Sequence, residues 1–227
     1  MKNYIIILIS AISLVACTAP SKLTRGDNFP KMYDETPTAI LIMPPINNTV
    51  SVEAKEYFYT SLALPLCEKG YYVVSPFLAM DFLRSESAYD SELFLEADLA
   101  SFSRVFGADV VLFTTINRWD KSALGSTITV DIEYMLKSTS TNEVLFTRKG
   151  VLTVDTSINS GSGGLVGALV DMAASAINTA LTDKVIAARR CNGFVLKDLP
   201  EGKYSPKHGN DKATLAGDLI FKASVKQ

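Results

Sequence analysis

Apolar residues fall along this chain in three rhythms: continuous runs, a period near 3.6, and a period of two. Ala39-Ile40-Leu41-Ile42-Met43 is a continuous run rich in β-branched residues, the pattern of a strand covered on both faces. Pro44-Pro45 stops it, and Asn47-Asn48 is turn material. Over residues 52–69 the positions Ala54, Tyr57, Phe58 and Leu62 keep helical spacing, and Pro65 is expected to kink or end that helix. Residues 71–74 read as a second strand. Ser75-Pro76 reads as an N-cap with proline in the first turn of a short helix carrying Ala79, Met80 and Leu83. Leu99, Phe102, Val105 and Phe106 form a further helical stripe with Gly107 as its stop, and residues 110–116 a third strand.

The texture then changes. Ile128, Val130, Ile132, Tyr134 and Leu136 alternate with Thr127, Thr129, Asp131, Glu133 and Met135, a strand with one wet face. After a turn at 138–142, Val144, Phe146, Leu152 and Val154 continue the alternation around Gly150 and complete a long antiparallel hairpin. A glycine-rich loop over 156–163 leads to a long small-residue helix over about 165–188. Residues 192–227 read as an irregular segment ending in a short strand over 218–225. The architecture predicted is α/β: a mixed sheet of about five strands, with strand–helix alternation first, then the hairpin and the long C-terminal helix. The first three strands are expected to be parallel, joined by right-handed crossovers. The α/β domain is placed at 39–191.

Ahead of it, residues 4–15 are almost wholly apolar, Lys2 precedes them, and Leu14-Val15-Ala16-Cys17 closes the run. This is the layout of a secretory signal. The run is shorter than the roughly 20 residues a spanning helix needs, and polar Thr18, Ser21 and Lys22 follow at once. The closing tetrapeptide resembles the lipobox of bacterial lipoproteins. That resemblance implies a signal peptide over 1–16, removal just before Cys17, and fatty acylation (palmitate-type) of the Cys17 thiol and amine. Thr18, where an Asp would favour retention in the inner membrane, implies the outer membrane, with the protein facing the periplasm. Each acyl methylene buried contributes about 0.8 kcal/mol, so several chains make a stable anchor. Residues 17–38, with Pro20, Gly26, Pro30 and Pro37 among polar neighbours, read as a flexible tether.

Hydrophobic residues make up 48% of the 227, enough for a real core. The net charge of −2 comes from interspersed signs, which argues against a nucleic-acid surface. Besides Cys17 the chain has Cys67 and Cys191, an even pair in an oxidising compartment. A bridge between them and two free thiols are both open. Cys67 falls opposite the apolar stripe of its helix, which weighs against the bridge.

Candidate chemistry is sparse. The one histidine, His208, stands in a loop-like tail, and no Cys/His cluster with metal-ligand spacing exists. Ser160-Gly161-Ser162 lacks the apolar flanks of a nucleophile turn, so a serine hydrolase using His208 is a weak alternative. Asp131 and Glu133 read as solvated charges. No catalytic residue, metal or cofactor is assigned, and the chain is expected not to be an enzyme. Two features suit contact with other molecules. Gly163 and Gly167, four residues apart, give a smooth helix surface, and Trp119, the single tryptophan, is placed on a loop just past a strand end, where Trp marks binding hot spots.

Four collinear stretches carry a family resemblance: Ile40-Leu41-Ile42-Met43-Pro44-Pro45-Ile46-Asn47-Asn48-Thr49, Leu64-Pro65-Leu66-Cys67-Glu68-Lys69-Gly70-Tyr71-Tyr72-Val73, Phe106-Gly107-Ala108-Asp109-Val110-Val111-Leu112, and Gly163-Gly164-Leu165-Val166-Gly167-Ala168-Leu169-Val170. They resemble a bacterial lipoprotein family of uncharacterised function that includes a genome-derived neisserial antigen lipoprotein. The resemblance implies a fold similar to the N-terminal domain of the Tol–Pal periplasmic protein. It also implies a component of an envelope assembly or secretion complex, with envelope proteins as partners, a curli-channel-like lipoprotein among them. A homodimer is a secondary expectation. The alternative is a periplasmic small-ligand or glycan binder using Trp119, Tyr134 or the Pro44–Asn48 loop at strand ends.

Overall fold

The computed structural model describes residues 22–122, 127–155 and 184–226. Two short helices come first, α1 (Arg25–Asn28) and α2 (Pro30–Glu35). Strands β1 (Ala39–Ile42) and β2 (Ile46–Asn47) lead to helix α3 (Ala54–Glu68), strand β3 (Tyr72–Val73) and helix α4 (Pro76–Ser85). Helix α5 (Ala100–Phe106) follows a 3-10 turn at Ser91–Phe94. Three strands of 12 residues come next: β4 (Val110–Lys121), β5 (Thr127–Ser138) and β6 (Val144–Asp155). Helix α6, described over 184–196, and strand β7 (Ile220–Lys226) follow.

The described strands form one mixed sheet in the order β3-β1-β4-β5-β6-β7, with β2 also paired to β4. Strands β3, β1 and β4 are parallel, as the alternation of strand and helix predicts. Strands β4, β5 and β6 form an antiparallel meander, and β7 returns parallel to β6. The sheet has seven strands rather than about five because β2 resumes pairing after Pro44-Pro45 and β7 adds an edge.

The two faces of the sheet differ. On one, Ile40, Ile42, Val110, Leu112, Ile132, Leu136, Leu152 and Val154 meet Phe58, Leu62 and Leu66 of α3 and Ala188, Cys191 and Val195 of α6. On the other, Leu41, Met43, Val111 and Phe113 meet Ala79 and Leu83 of α4 and Phe102 of α5. Helices therefore sandwich the parallel end. Strand β5 is fully buried at alternate positions only, from Ile128 to Leu136, and half-buried between them.

Three expectations are corrected. Residues 17–38 are not a tether throughout: Thr24 and Asp27 form a reciprocal capping box on α1. Phe29 and Met32 are buried, with the Phe29 ring 4.6 Å from that of Phe146. Pro30 starts α2 rather than interrupting a chain, because a first-turn proline forfeits no helical hydrogen bond. Residues 192–227 are less irregular than expected, since α6 runs on to 196 and Leu196 and Leu199 are buried, while the short strand expected at 218–225 is β7, which joins the sheet. Finally, Pro65 does not end α3 at its own position; the helix closes three residues later, at Glu68.

Candidate functional site

The structure moves most of the residues singled out from sequence. Trp119 lies within β4 and is 6% exposed, its ring 5.4 Å from Phe58 in an edge-on contact. The reason is a bulge: the β4–β5 register shifts between Ile116 and Arg118, leaving Asn117 as the extra residue. The slip of one position turns Trp119 inward and lets the strand continue to Lys121. Trp119 is a core residue and not an interaction surface.

Cys67 and Cys191 are both free, the first exposed and the second buried, so the bridge is corrected as well. Cys67 sits on the wet side of α3, while Cys191 faces Tyr134 inside the core. Burial pushes the Cys191 thiol up to about 12, against a lowering hydrogen bond with Tyr134. The Tyr134 hydroxyl donates to Asn192 Oδ1, and Asn192 Nδ2 donates to Phe58 O (3.2 Å) and Ser61 Oγ (2.9 Å). This buried chain ties β5, α3 and α6 together. Tyr134, fully buried, is unavailable to a ligand. Cys17, Gly163, Gly167, Ser160 and Ser162 lie outside the described residues.

Sequence reasoning missed two ionic centres, one buried and one partly buried. Arg148 in β6 is 1% exposed. Its Nη1 lies 2.9 Å from Asp198 Oδ2 and donates to the carbonyls of Phe194 (3.1 Å) and Val195 (2.6 Å), in the last turn of α6. Nε donates to Asp218 O (3.2 Å), and the guanidinium lies over the rings of Phe194 and Phe221. A cation at a helix C-terminus satisfies orphan carbonyls and the dipole together. The signal was present in the sequence: Arg148 occupies an inward phase between Phe146 and Leu152. An arginine in an apolar phase needs a buried carboxylate somewhere.

The second centre involves Glu201. Its Oε1 takes Lys69 Nζ at 2.9 Å and Arg25 Nη1 at 3.4 Å, and Ser205 Oγ donates to Oε2 at 2.8 Å. Arg25 also pairs with buried Asp211 (2.9 Å) and donates to Lys197 O (2.8 Å). Burial raises the Glu201 carboxyl, but the hydrogen bonds from Lys69 and Ser205 and the charges of Lys69 and Arg25 outweigh it and hold it below its ordinary value. The 201–205 loop can pack here because Gly70, at φ 82°, carries no side chain; a Cβ there would lie 2.2 Å from Ser205 N.

Beside this centre, a cleft of about 420 Å³ opens between the ends of α3 and α6, with Lys69, Lys197, Glu201 and Lys207 on its walls. Its carboxylate is committed to two cations, and its amines suit an anionic group better than proton transfer. His208 stands across the same loop, Nδ1 2.9 Å from Glu201 O, which selects the tautomer protonated at that nitrogen. Among the described residues no group of His, Cys, Asp and Glu is arranged to hold a metal ion.

The three described family-like stretches make joints of the fold. Asp109 Oδ2 accepts from the Thr38 and Ala39 amides (2.9 Å each) and pins the start of β1. Pro44 O accepts from buried Ser91, and Asn48 Nδ2 donates to Asn117 Oδ1 beside the bulge. Gly107 takes the left-handed conformation that closes α5.

The architecture is thus an α/β domain built on one mixed sheet with helices on both faces of its parallel end. Residues 28–198 match the GNA1162-like lipoproteins, and the chain belongs to that family. It is 26% identical over 186 residues to the lipoprotein NMB1124/NMB1162 of Neisseria meningitidis serogroup B, covering 81% of this chain and 85% of that one. Among solved structures, it is similar to lipoprotein GNA1162 from Neisseria meningitidis (24% identity, TM-score 0.47, 63% of this chain and 99% of that chain). It is also similar to a PelC dodecamer from Paraburkholderia phytofirmans (17% identity, TM-score 0.38, 82% and 96%).

Proposed function

We propose that this chain is a lipid-anchored outer-membrane lipoprotein that faces the periplasm and acts without catalysis, through contacts with other proteins of an envelope assembly or secretion complex. The observation that carries this reading is the Leu14-Val15-Ala16-Cys17 motif at the head of a chain that belongs to a lipoprotein family. Helix α4 supports the protein-contact part. Its inner side buries Ala79, Met80 and Leu83, while Phe77 (79% exposed), Leu78 and Phe82 stand in solvent beside edge strand β3. Large apolar side chains gathered on one outer helix face mark contact surfaces more often than those scattered singly.

Two measurements test it. The mass of the mature N-terminus should show cleavage before Cys17 and added acyl chains; an intact, unmodified leader removes the anchor. Photocrosslinking from positions 77 and 82 in intact envelopes should trap other envelope proteins, a curli-channel-like lipoprotein being the first candidate, or a second copy. Recovery of the chain alone as a monomer would count against the interaction role. The small-ligand reading loses its aromatic residues, since Trp119 and Tyr134 are both in the core.

A further inference from the structure

We infer that the domain rests on the bilayer through the surface where its N-terminal segment emerges, so that Leu23, Leu215 and Leu219 contact lipid. The inference builds on the Cys17 anchor. Its basis is how soon after Cys17 the chain becomes fixed. Leu23 O accepts from the Ala216 amide at 2.9 Å, Thr24 bridges Leu215, and the Arg25 amide donates to Thr214 O at 2.8 Å. Leu23 is six residues after Cys17, and that length of chain, fully extended, reaches at most about 20 Å. A domain of this size is roughly 40 Å across. The exit point is therefore held within about half a domain diameter of the lipid headgroups.

The surface around that exit has the composition such a position requires. Lys22, Leu23, Asn28, Ala216, Gly217 and Leu219, with Asp218, line an open groove of about 490 Å³. Leu23 is 55% exposed and Leu215 61%, and Ile220 at the start of β7 is more exposed still. Leu23 and Leu219 share this groove, and exposed Leu215 and Ile220 are chain neighbours of its lining, which together make a patch, unlike the single exposed residues any surface carries. Cations accompany them: Lys22 in the groove, Lys149 paired in register with Ile220, and Lys222 two residues on. The acids nearby are Asp218, Asp27, which is occupied capping α1, and Asp198, which is buried and paired with Arg148. Apolar side chains flanked by lysine suit the boundary between acyl chains and anionic headgroups. Bilayer, rather than protein, is the occupant because the short lead from Cys17 brings lipid to this surface whatever else is bound elsewhere.

The test uses the lipidated full-length protein in vesicles of phosphatidylethanolamine and phosphatidylglycerol with brominated acyl chains and no other protein. In a Cys67→Ser background, the environment-sensitive fluorophore NBD is attached at Leu215→Cys or Leu219→Cys. The comparator carries the same dye on native Cys67, on the outer side of α3. Blue-shifted emission and about twofold quenching by bromine at 215 and 219, with neither at Cys67, is the expected result for side chains at the interface. The N-terminal mass is read on the same samples. If Cys17 is acylated and the dyes at 215 and 219 behave like that at Cys67, this inference is overturned while the anchor stands. If Cys17 carries no acyl chain, both fall.

Discussion

Strands β1 and β6 belong to one sheet, yet β1 is hidden on both faces and β6 on one. At Leu41 the outer face of the sheet meets α4 and α5. Farther along that same face, Thr129, Asp131, Thr153 and Lys149 stand half-buried or exposed. The covered end has continuous apolar sequence, and the wing alternates. The inner face of the wing is nevertheless where the fold places Arg148, its most deeply buried cation among the described residues. One end is held by apolar packing from two sides, the other by packing from one side plus a buried ion pair.

That contrast is broken most severely by Arg148→Ala, which leaves Asp198 and the end of α6 unpaired in the core. About 3–5 kcal/mol of stability should be lost in urea denaturation, since removing one partner strands the other. Arg148→Met should cost clearly less if the apolar part of the contact, over Phe194 and Phe221, carries its share. Leu41→Ala removes a side chain packed from the second face, and about 3 kcal/mol is expected from the cavity.

Glu201→Gln should cost about 1.5 kcal/mol near neutral pH, because hydrogen bonds to a charged group are lost. Its pH dependence is the sharper readout. The folded Glu201 carboxyl lies below its ordinary value of 4.5. Its stabilisation is complete above that value and disappears as pH falls through the depressed folded one. Denaturation midpoints of the parent should therefore drop more steeply below pH 4.5 than those of the variant. Smallest is Thr153→Ala, on the same sheet face as Leu41 but beyond α4 and α5, where a change within about 0.5 kcal/mol is expected. A loss there as large as at Leu41 would mean that the wing is covered too.

The same contrast explains what could be read from sequence. Continuous apolar runs marked β1 and the start of β4, and strict alternation marked β5 and β6, because burial on two faces or one writes itself directly into the pattern. The inwardness of Trp119 could not be read, since it depends on a one-residue bulge at Asn117 that no local preference announces. The N-terminal helices were hidden because Phe29 and Met32 are two isolated apolar residues among prolines, and their value lies in a distant partner, Phe146. The partners in the ionic centres were illegible for a similar reason, even where the inward phase of Arg148 announced a buried cation: Arg25 meets Asp211, and Arg148 meets Asp198, across long stretches of chain. Candidate site residues were less legible than the fold: helical phase placed Cys67 away from the core, as found, but nothing local announces that Cys191 and Trp119 are buried.

Gly150 draws one further consequence. A methyl group there would lie 1.9 Å from Phe221 O, so β7 can lie against β6 only where that position is bare. Leu23 and Arg25 bond to residues 214–216, just before β7, so the N-terminal helices cannot settle until that distant segment has been made. Non-local pairings of this kind close slowly. For a chain exported as we propose, late closure leaves the N-terminal helices undocked until residues 214–216 have crossed as well.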